Sequence, residues 1–280
     1  MHQSRAMLTR SLALSCIALG LLATPVSADD DVAPSTEAPA GQFATLRGVQ
    51  GPKGMFSAQI LLDINLSADL AGKPISLSPD LYYSISDKLQ LGLVHQGPLG
   101  WQVPAGAGPS LCLTGSDNGC PDAYHNIGFD VMVAALNGQT DLSVHGSLFL
   151  DSFDPFETSL AVGVAGKAHF TDDVSLFFDP KIAIALTDRD VVEDMLYIPL
   201  ELGVQAGAPN LLKLLTGIYG PLSGFGDAYR IPLGVGFVRN LNPHFDLGLR
   251  FSFDNLLGQQ PAMTDRADAR SLALLLNIRS

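Results

Sequence analysis

The chain has 280 residues, 47% of them hydrophobic and only 16% charged, with 28 acidic against 16 basic side chains. An acidic balance of this size argues against a nucleic-acid partner and against docking on an anionic membrane surface. Beyond the N-terminal region no uninterrupted apolar stretch reaches the roughly 20 residues that a bilayer-crossing helix needs, which excludes a helical membrane protein.

In chain order, Arg5 and Arg10 precede the apolar stretch Ser11 to Thr24, which ends at Val26-Ser27-Ala28, a small-residue pattern of the secretory type. Residues 1–28 therefore read as a signal peptide, with Cys16 inside its apolar stretch and the mature start at Asp29. Subtracting Arg5 and Arg10 leaves 28 acidic against 14 basic residues, a balance of −14. Residues 29–50 follow, and their opening, "DDDVAPSTEAPAGQFATLR", is acidic and rich in Pro and Ala, with little to bury; it reads as a flexible segment.

Residues 51–280 then settle into alternation of apolar and polar residues. The pattern predicts strands at 55–66, 75–85, 89–96, 126–136, 140–150, 159–169, 174–187, 196–206, 211–218, 228–238, 244–254 and 271–279. The stretch 211–218, "LLKLLTGI", alternates weakly and is equally compatible with a short helix. Short connections made of turn formers, such as Ser86-Asp87-Lys88, Asn137-Gly138-Gln139 and Thr171-Asp172-Asp173, alternate with longer ones at 67–74, 97–125, 151–158, 188–195, 219–227 and 255–270.

The fragments "YSISDKLQLGL", "AHFTDDVSLFF" and "GFVRNLNPHFDLGL" are near-repeats of one hairpin. With the unbroken alternation of turns and loops, they make the chain from about Met55 to Arg279 resemble the bacterial outer-membrane β-barrel proteins of porin-like kind. The resemblance implies an all-β, antiparallel up-and-down transmembrane barrel of about twelve strands, surrounded by outer-membrane lipid, with short periplasmic turns and longer external loops. Such proteins often end in an aromatic residue, whereas this chain ends Ile278-Arg279-Ser280.

Alternation alone does not say which face is inside, but the composition of the polar face does. It holds Gly92, Gly128, Gly163, Gly203, Gly234, Gly236 and Gly248, and glycine weakens a strand that merely faces water. Inside a narrow lumen, small residues make room for larger ones opposite. The same face carries Asp63, Asp80, Asp130, Lys167, Asp179, Lys181, Glu201, Arg230, Asp246 and Arg250, an expected network of ions and water. Its carboxylates would favour small cationic solutes, with the bases setting the constriction. Phe170, Phe237 and Phe245 beside turns, and Tyr197, Tyr219 and Tyr229 near loops, are expected as interfacial girdles; the single Trp, Trp101, lies in the longest loop.

Other chemistry is sparse. Cys112 and Cys120, close together in the loop 97–125, are expected to form a disulfide in an oxidising compartment. His145 and Ser147 point the same way on one strand, within reach of proton transfer. A His-x-Ser pair on a strand resembles the catalytic pair of outer-membrane phospholipase A and of lipid A deacylases, which implies a third residue orienting the His; Glu157 or Asp151 is the nearest candidate. Leu148 stands where those families have Asn, and parity puts the pair in the lumen, away from lipid. No two His have metal-site spacing and no phosphate-binding loop follows a strand, so neither metal nor cofactor is expected. The reading is a non-enzymatic outer-membrane barrel, either a narrow passive channel or a presenter of surface loops, with a lipid hydrolase and a loop-borne adhesin as alternatives.

Overall fold

The computed structural model describes residues 47–68, 70–95, 110–120, 123–189, 193–207, 209–259 and 268–280. The expected signal peptide, most of the acidic segment and Trp101 lie outside them. The described residues hold fifteen strands: β1 (Phe56–Asn65), β2 (Ile75–Ser86), β3 (Leu89–Val94), β4 (Ser110–Cys112), β5 (Tyr124–His125), β6 (Ile127–Leu136), β7 (Thr140–Phe153) and β8 (Phe156–Thr171) come first. Then follow β9 (Val174–Phe178), β10 (Lys181–Ala185), β11 (Met195–Gln205), β12 (Asn210–Pro221), β13 (Leu233–Asn242), β14 (Phe245–Phe253) and β15 (Arg270–Arg279).

Each barrel strand pairs antiparallel with its neighbours, and β1 pairs with both β2 and β15, which closes the sheet. Because β4 and β5 belong to a loop, and β9 and β10 are one interrupted strand, the barrel has twelve strands. The interruption is Asp179-Pro180, where proline has no N–H to give the ladder. Pairing with β8 resumes in the same register beyond it, from Gly166 opposite Phe178 to Gly163 opposite Lys181.

The stretch 211–218 is strand rather than helix and lies within β12. The strand expected at 228–238 is displaced to 233–242, because Ile231-Pro232 ends the preceding connection. The loop expected at 151–158 is instead a tight turn at Asp154-Pro155, with β7 and β8 running 14 and 16 residues. At about 3.3 Å per residue these strands are about 46 to 53 Å long, more than tilted strands need to span an apolar band about 25 Å tall, so their hairpin projects beyond it.

Burial settles the two faces. Along β7, Asp141, Ser143, His145 and Ser147 are buried, whereas Val144 and Leu148 are 48% and 53% exposed. Along β6, Asp130 is buried and Phe129 and Val133 are exposed. A soluble protein hides its apolar face; here the polar one is hidden, as a barrel standing in lipid requires. Phe170, Phe237 and Phe245 are exposed beside the turns, as girdle residues should be. Tyr197 and Tyr219 depart from that expectation: they share inward parity with Glu201 and Lys213, face each other across β11 and β12, and stack at 6.1 Å.

Glycine on the inner face makes room, though not only for polar side chains. A Cβ on Gly163 would stand 2.6 Å from His145 Nε2 and 2.7 Å from Lys181 Cβ, and one on Gly92 would meet the Tyr82 ring at 2.9 Å. At Gly203, Gly234 and Gly248 the space is taken in part by Leu211, Leu215 and Leu275.

Candidate functional site: the lumen

The sequence-predicted lumen residues divide into two groups. In the first, the inner faces of β6, β7 and β10 and the Asp179-Pro180 break bring Asp130, His145, Ser147, Asp179 and Lys181 together. His145 Nε2 lies 2.7 Å from Asp179 Oδ1 and its Nδ1 3.2 Å from Asp130 Oδ1, while Lys181 Nζ is 3.6 Å from Asp179. Asp80 lies on the same flank, accepting the backbone N–H of His95 at 2.6 Å.

This geometry does not favour the hydrolase alternative. Ser147 Oγ donates to Asp130 Oδ1 at 2.5 Å, not to His145. Both imidazole nitrogens face carboxylate oxygens, which only accept, so the ring donates from both sides and has no lone pair to take a hydroxyl proton. Neither Asp151 nor Glu157 orients the ring; Asp130 and Asp179 do, on the lumen face where parity puts them, brought to His145 by the register between strands.

The second group surrounds a cavity of about 230 Å³ in the turn-end half of the lumen. Lys213 pairs with Glu201 at 2.7 Å, and Arg250 with Asp63 at 3.3 Å. Asp246 takes two arginines, Arg279 at 2.5 Å and Arg47 at 2.6 Å. The apolar part of the wall includes Leu61, Phe177, Leu211, Leu215, Val238 and Leu275, all on inward-facing positions.

Arg47 belongs to a strap that sequence reading assigned to the flexible segment. The strap enters beside the β2–β3 turn, where the backbone N–H of Gly51 donates to Gln90 Oε1 at 3.2 Å and that of Lys53 to Asp87 at 2.9 Å. A Cβ on Gly48 would stand 3.2 Å from Asp141 of β7, and the Arg47 carbonyl accepts Lys167 Nζ of β8 at 2.8 Å. Residues 47–51 thus lie across the turn-end mouth. Its only signal in the sequence is a pair of glycines, Gly48 and Gly51, that let backbone approach the wall.

Arg230 does not line this cavity. It stands at the loop rim, 2.9 Å from Asp254 and 5.8 Å above the Tyr219 ring, whose hydroxyl also donates to Asp254. Burial pushes the Asp254 carboxyl above its usual range, and Tyr219 and Arg230 pull it back. The cluster ties the connection after β12 to the one after β14. In the long loop, β4 pairs with β2 and folds back onto the barrel rim, and Cys112 and Cys120 stand 5.9 Å apart between Cα atoms.

The pairing also bears on the expected cation preference. Asp63, Asp179, Glu201 and Asp246 each have an Arg or Lys within 4 Å, and Asp80 and Asp130 face His95 and His145. Four of the six carboxylates are thus matched by Arg or Lys rather than left as free negative charge.

No family model and no curated protein matches the chain. Among solved structures it is similar to the NanC porin over 80% of its own length and 98% of that chain, at 8% identity and a TM-score of 0.54. It is also similar to an outer-membrane channel of Pseudomonas putida F1 over 82% of its length and 97% of that chain, at 9% identity and a TM-score of 0.52. The chain has the fold of the outer-membrane porin-like barrels. At these identities the likeness is one of architecture, and activity must be argued from the lumen itself.

Proposed function

We propose that the protein is a narrow passive channel of the outer membrane, without enzymatic activity, with its tight turns on the periplasmic side. The observation that carries this reading is a polar, ion-paired interior enclosing a cavity, inside a barrel whose outer face is apolar. Solved barrels of similar fold are a porin and an outer-membrane channel, which supports the same class. A wall built only for structure would be filled throughout with packed side chains, and the turn-end half of this lumen is not.

Lipid contacts the exposed apolar band, and small solutes are the partners of the lumen. The Cys112–Cys120 separation falls within the about 4.4–6.8 Å that a disulfide needs, so an oxidised bridge stiffens the external loop. In the conformation described, the strap narrows the periplasmic mouth.

Purified protein inserted in planar bilayers should conduct potassium chloride in discrete steps. Silence at all voltages, from protein whose heat-modifiable gel migration proves it folded, would rule the channel out.

A further inference from the structure

The cavity in the turn-end half of the lumen is lined by charge, yet its ionic side chains are already engaged. Lys213 holds Glu201 at 2.7 Å, Arg250 holds Asp63 at 3.3 Å, and Asp246 takes both Arg47 and Arg279. Lys167 Nζ donates to the Arg47 carbonyl at 2.8 Å. A charged guest would have to compete with a partner already in place at each of these groups, and a neutral guest would not. Leu61, Leu211, Leu215 and Val238 are only 2–6% exposed, so the apolar surface open to a guest lies elsewhere.

Two polar groups of the lining differ from the rest. Gln59 of β1 and Asn277 of β15 stand directly opposite each other in the ladder, and both are half-buried against the cavity. Among the described residues neither side-chain amide makes a hydrogen bond to protein. Directly opposed residues have Cβ atoms about 4.5–5.5 Å apart, so the two amides form one uncharged patch of carbonyl acceptors and N–H donors. Phe177 of β9 lines the same cavity and is likewise half-buried. The interrupted strand β9–β10 is six places from β1 in the closed order of twelve, so the Phe177 ring belongs to the wall opposite the amides.

We propose that this cavity is a binding site for a small neutral carboxamide carried on a single ring: its amide exchanges hydrogen bonds with Gln59 and Asn277, and its ring lies against Phe177. The proposal rests on the channel reading and deepens it, because it names the class of solute that the lumen takes. An amide presents an acceptor and two donors in one plane, which a second amide matches. A ketone lacks the donors, and a carboxylate lacks them too while bringing a charge. The volume limits the guest, since about 230 Å³ lies below the roughly 300–1,000 Å³ of pockets for drug-sized ligands. The ring adds offset or edge contact with Phe177, and the amide patch fixes the orientation.

The test is calorimetric titration of the folded, detergent-solubilised full chain with benzamide, acetophenone, benzoate and acetamide, each read against the same micelles without protein. Benzamide should bind with a Kd on the order of 1 mM or tighter. Acetophenone, benzoate and acetamide should each bind at least about fivefold more weakly, since the first two lack the amide donors and the third lacks the ring. Gln59→Met and Asn277→Leu, which remove an amide at similar size, should each weaken benzamide about fivefold, and Phe177→Leu should do the same. Should a variant fail to show heat-modifiable migration, acetophenone on the wild-type protein decides the amide half and acetamide the ring half.

Equal binding of benzamide and acetophenone, benzoate binding as tight as benzamide, or no heat with benzamide would overturn the proposal; so would folded Gln59→Met and Asn277→Leu variants that bind benzamide as the wild-type protein does. Conductance in potassium chloride is measured on the same preparation. Conduction without benzamide binding removes the site and keeps the channel, and benzamide binding without conduction does the reverse.

Discussion

Arg47 reaches Asp246 of β14 at 2.6 Å, while Gly48, the next residue, lies against Asp141 of β7. In the order of the sheet, β7 and β14 are six strands apart in a barrel of twelve, so they stand opposite each other. The strap is thus fastened to both walls, and its narrowing of the mouth depends on polar contacts that a single substitution can remove. Arg47→Ala should raise single-channel conductance. The fold should survive, because Asp246 keeps Arg279 at 2.5 Å. An unchanged conductance in planar bilayers would show that the strap does not limit the current.

The Asp179 carboxylate holds His145 and Lys181 together, all three nearly without exposure. Asp179→Asn leaves that cluster short of one negative charge, and breaking a buried pair in this way costs about 3–5 kcal/mol. Ser147→Ala removes one hydroxyl donor from Asp130 and should cost about 1 kcal/mol, or up to about 3 with a charged acceptor left unmatched. Urea unfolding in micelles, followed by gel migration, should rank the two in that order. Ser147→Ala should leave fatty-acid release from membranes at the background of the wild-type protein.

Gly163 and Gly146 face opposite sides of the wall. A methyl at Gly163 would stand 3.0 Å from the Pro180 carbonyl as well as 2.7 Å from Lys181 Cβ, whereas one at Gly146 meets nothing nearer than 3.8 Å. Overpacking at such a site costs about 1–3 kcal/mol, so Gly163→Ala should lower the unfolding midpoint and Gly146→Ala should leave it in place. Equal midpoints would mean that the inner wall has slack there.

How much of this was legible in the sequence follows from what a strand can report. Period-two alternation is local, so the twelve strands, their faces and the polar lumen could be read from residues such as Leu89, Leu91 and Leu93 set against Gln90 and Gly92. Ion-pair partners are set by register between strands, which no single strand reveals; the approach of Asp63 to Arg250 spans 187 positions. The weak alternation of 211–218 was visible, but its cause was not, because a lumen leucine and a helical leucine look alike in one dimension. Arg230 stands on the connection ahead of β13 and bridges Tyr219 alone, because Pro232 has no N–H to extend the ladder back to it.

Charge in the cavity makes the last prediction. With the partners Asp63 of Arg250 and Arg279 of Asp246 included, five cations stand against three carboxylates, which should give the channel a preference for chloride over potassium, seen as the sign of the reversal potential across a salt gradient. Lys213 and Glu201 are 2.7 Å apart, so replacing either leaves the other to act on the passing ion without its partner. Glu201→Gln should therefore move the reversal potential further toward that of chloride, and Lys213→Gln should move it toward that of potassium. Both shifts should shrink as salt rises from 0.1 to 1 M, where the Debye length falls from about 10 Å to about 3 Å. A wild-type preference for potassium, strengthened by Lys213→Gln, would mean that carboxylates elsewhere along the path, such as Asp80 or Asp130, control selectivity instead.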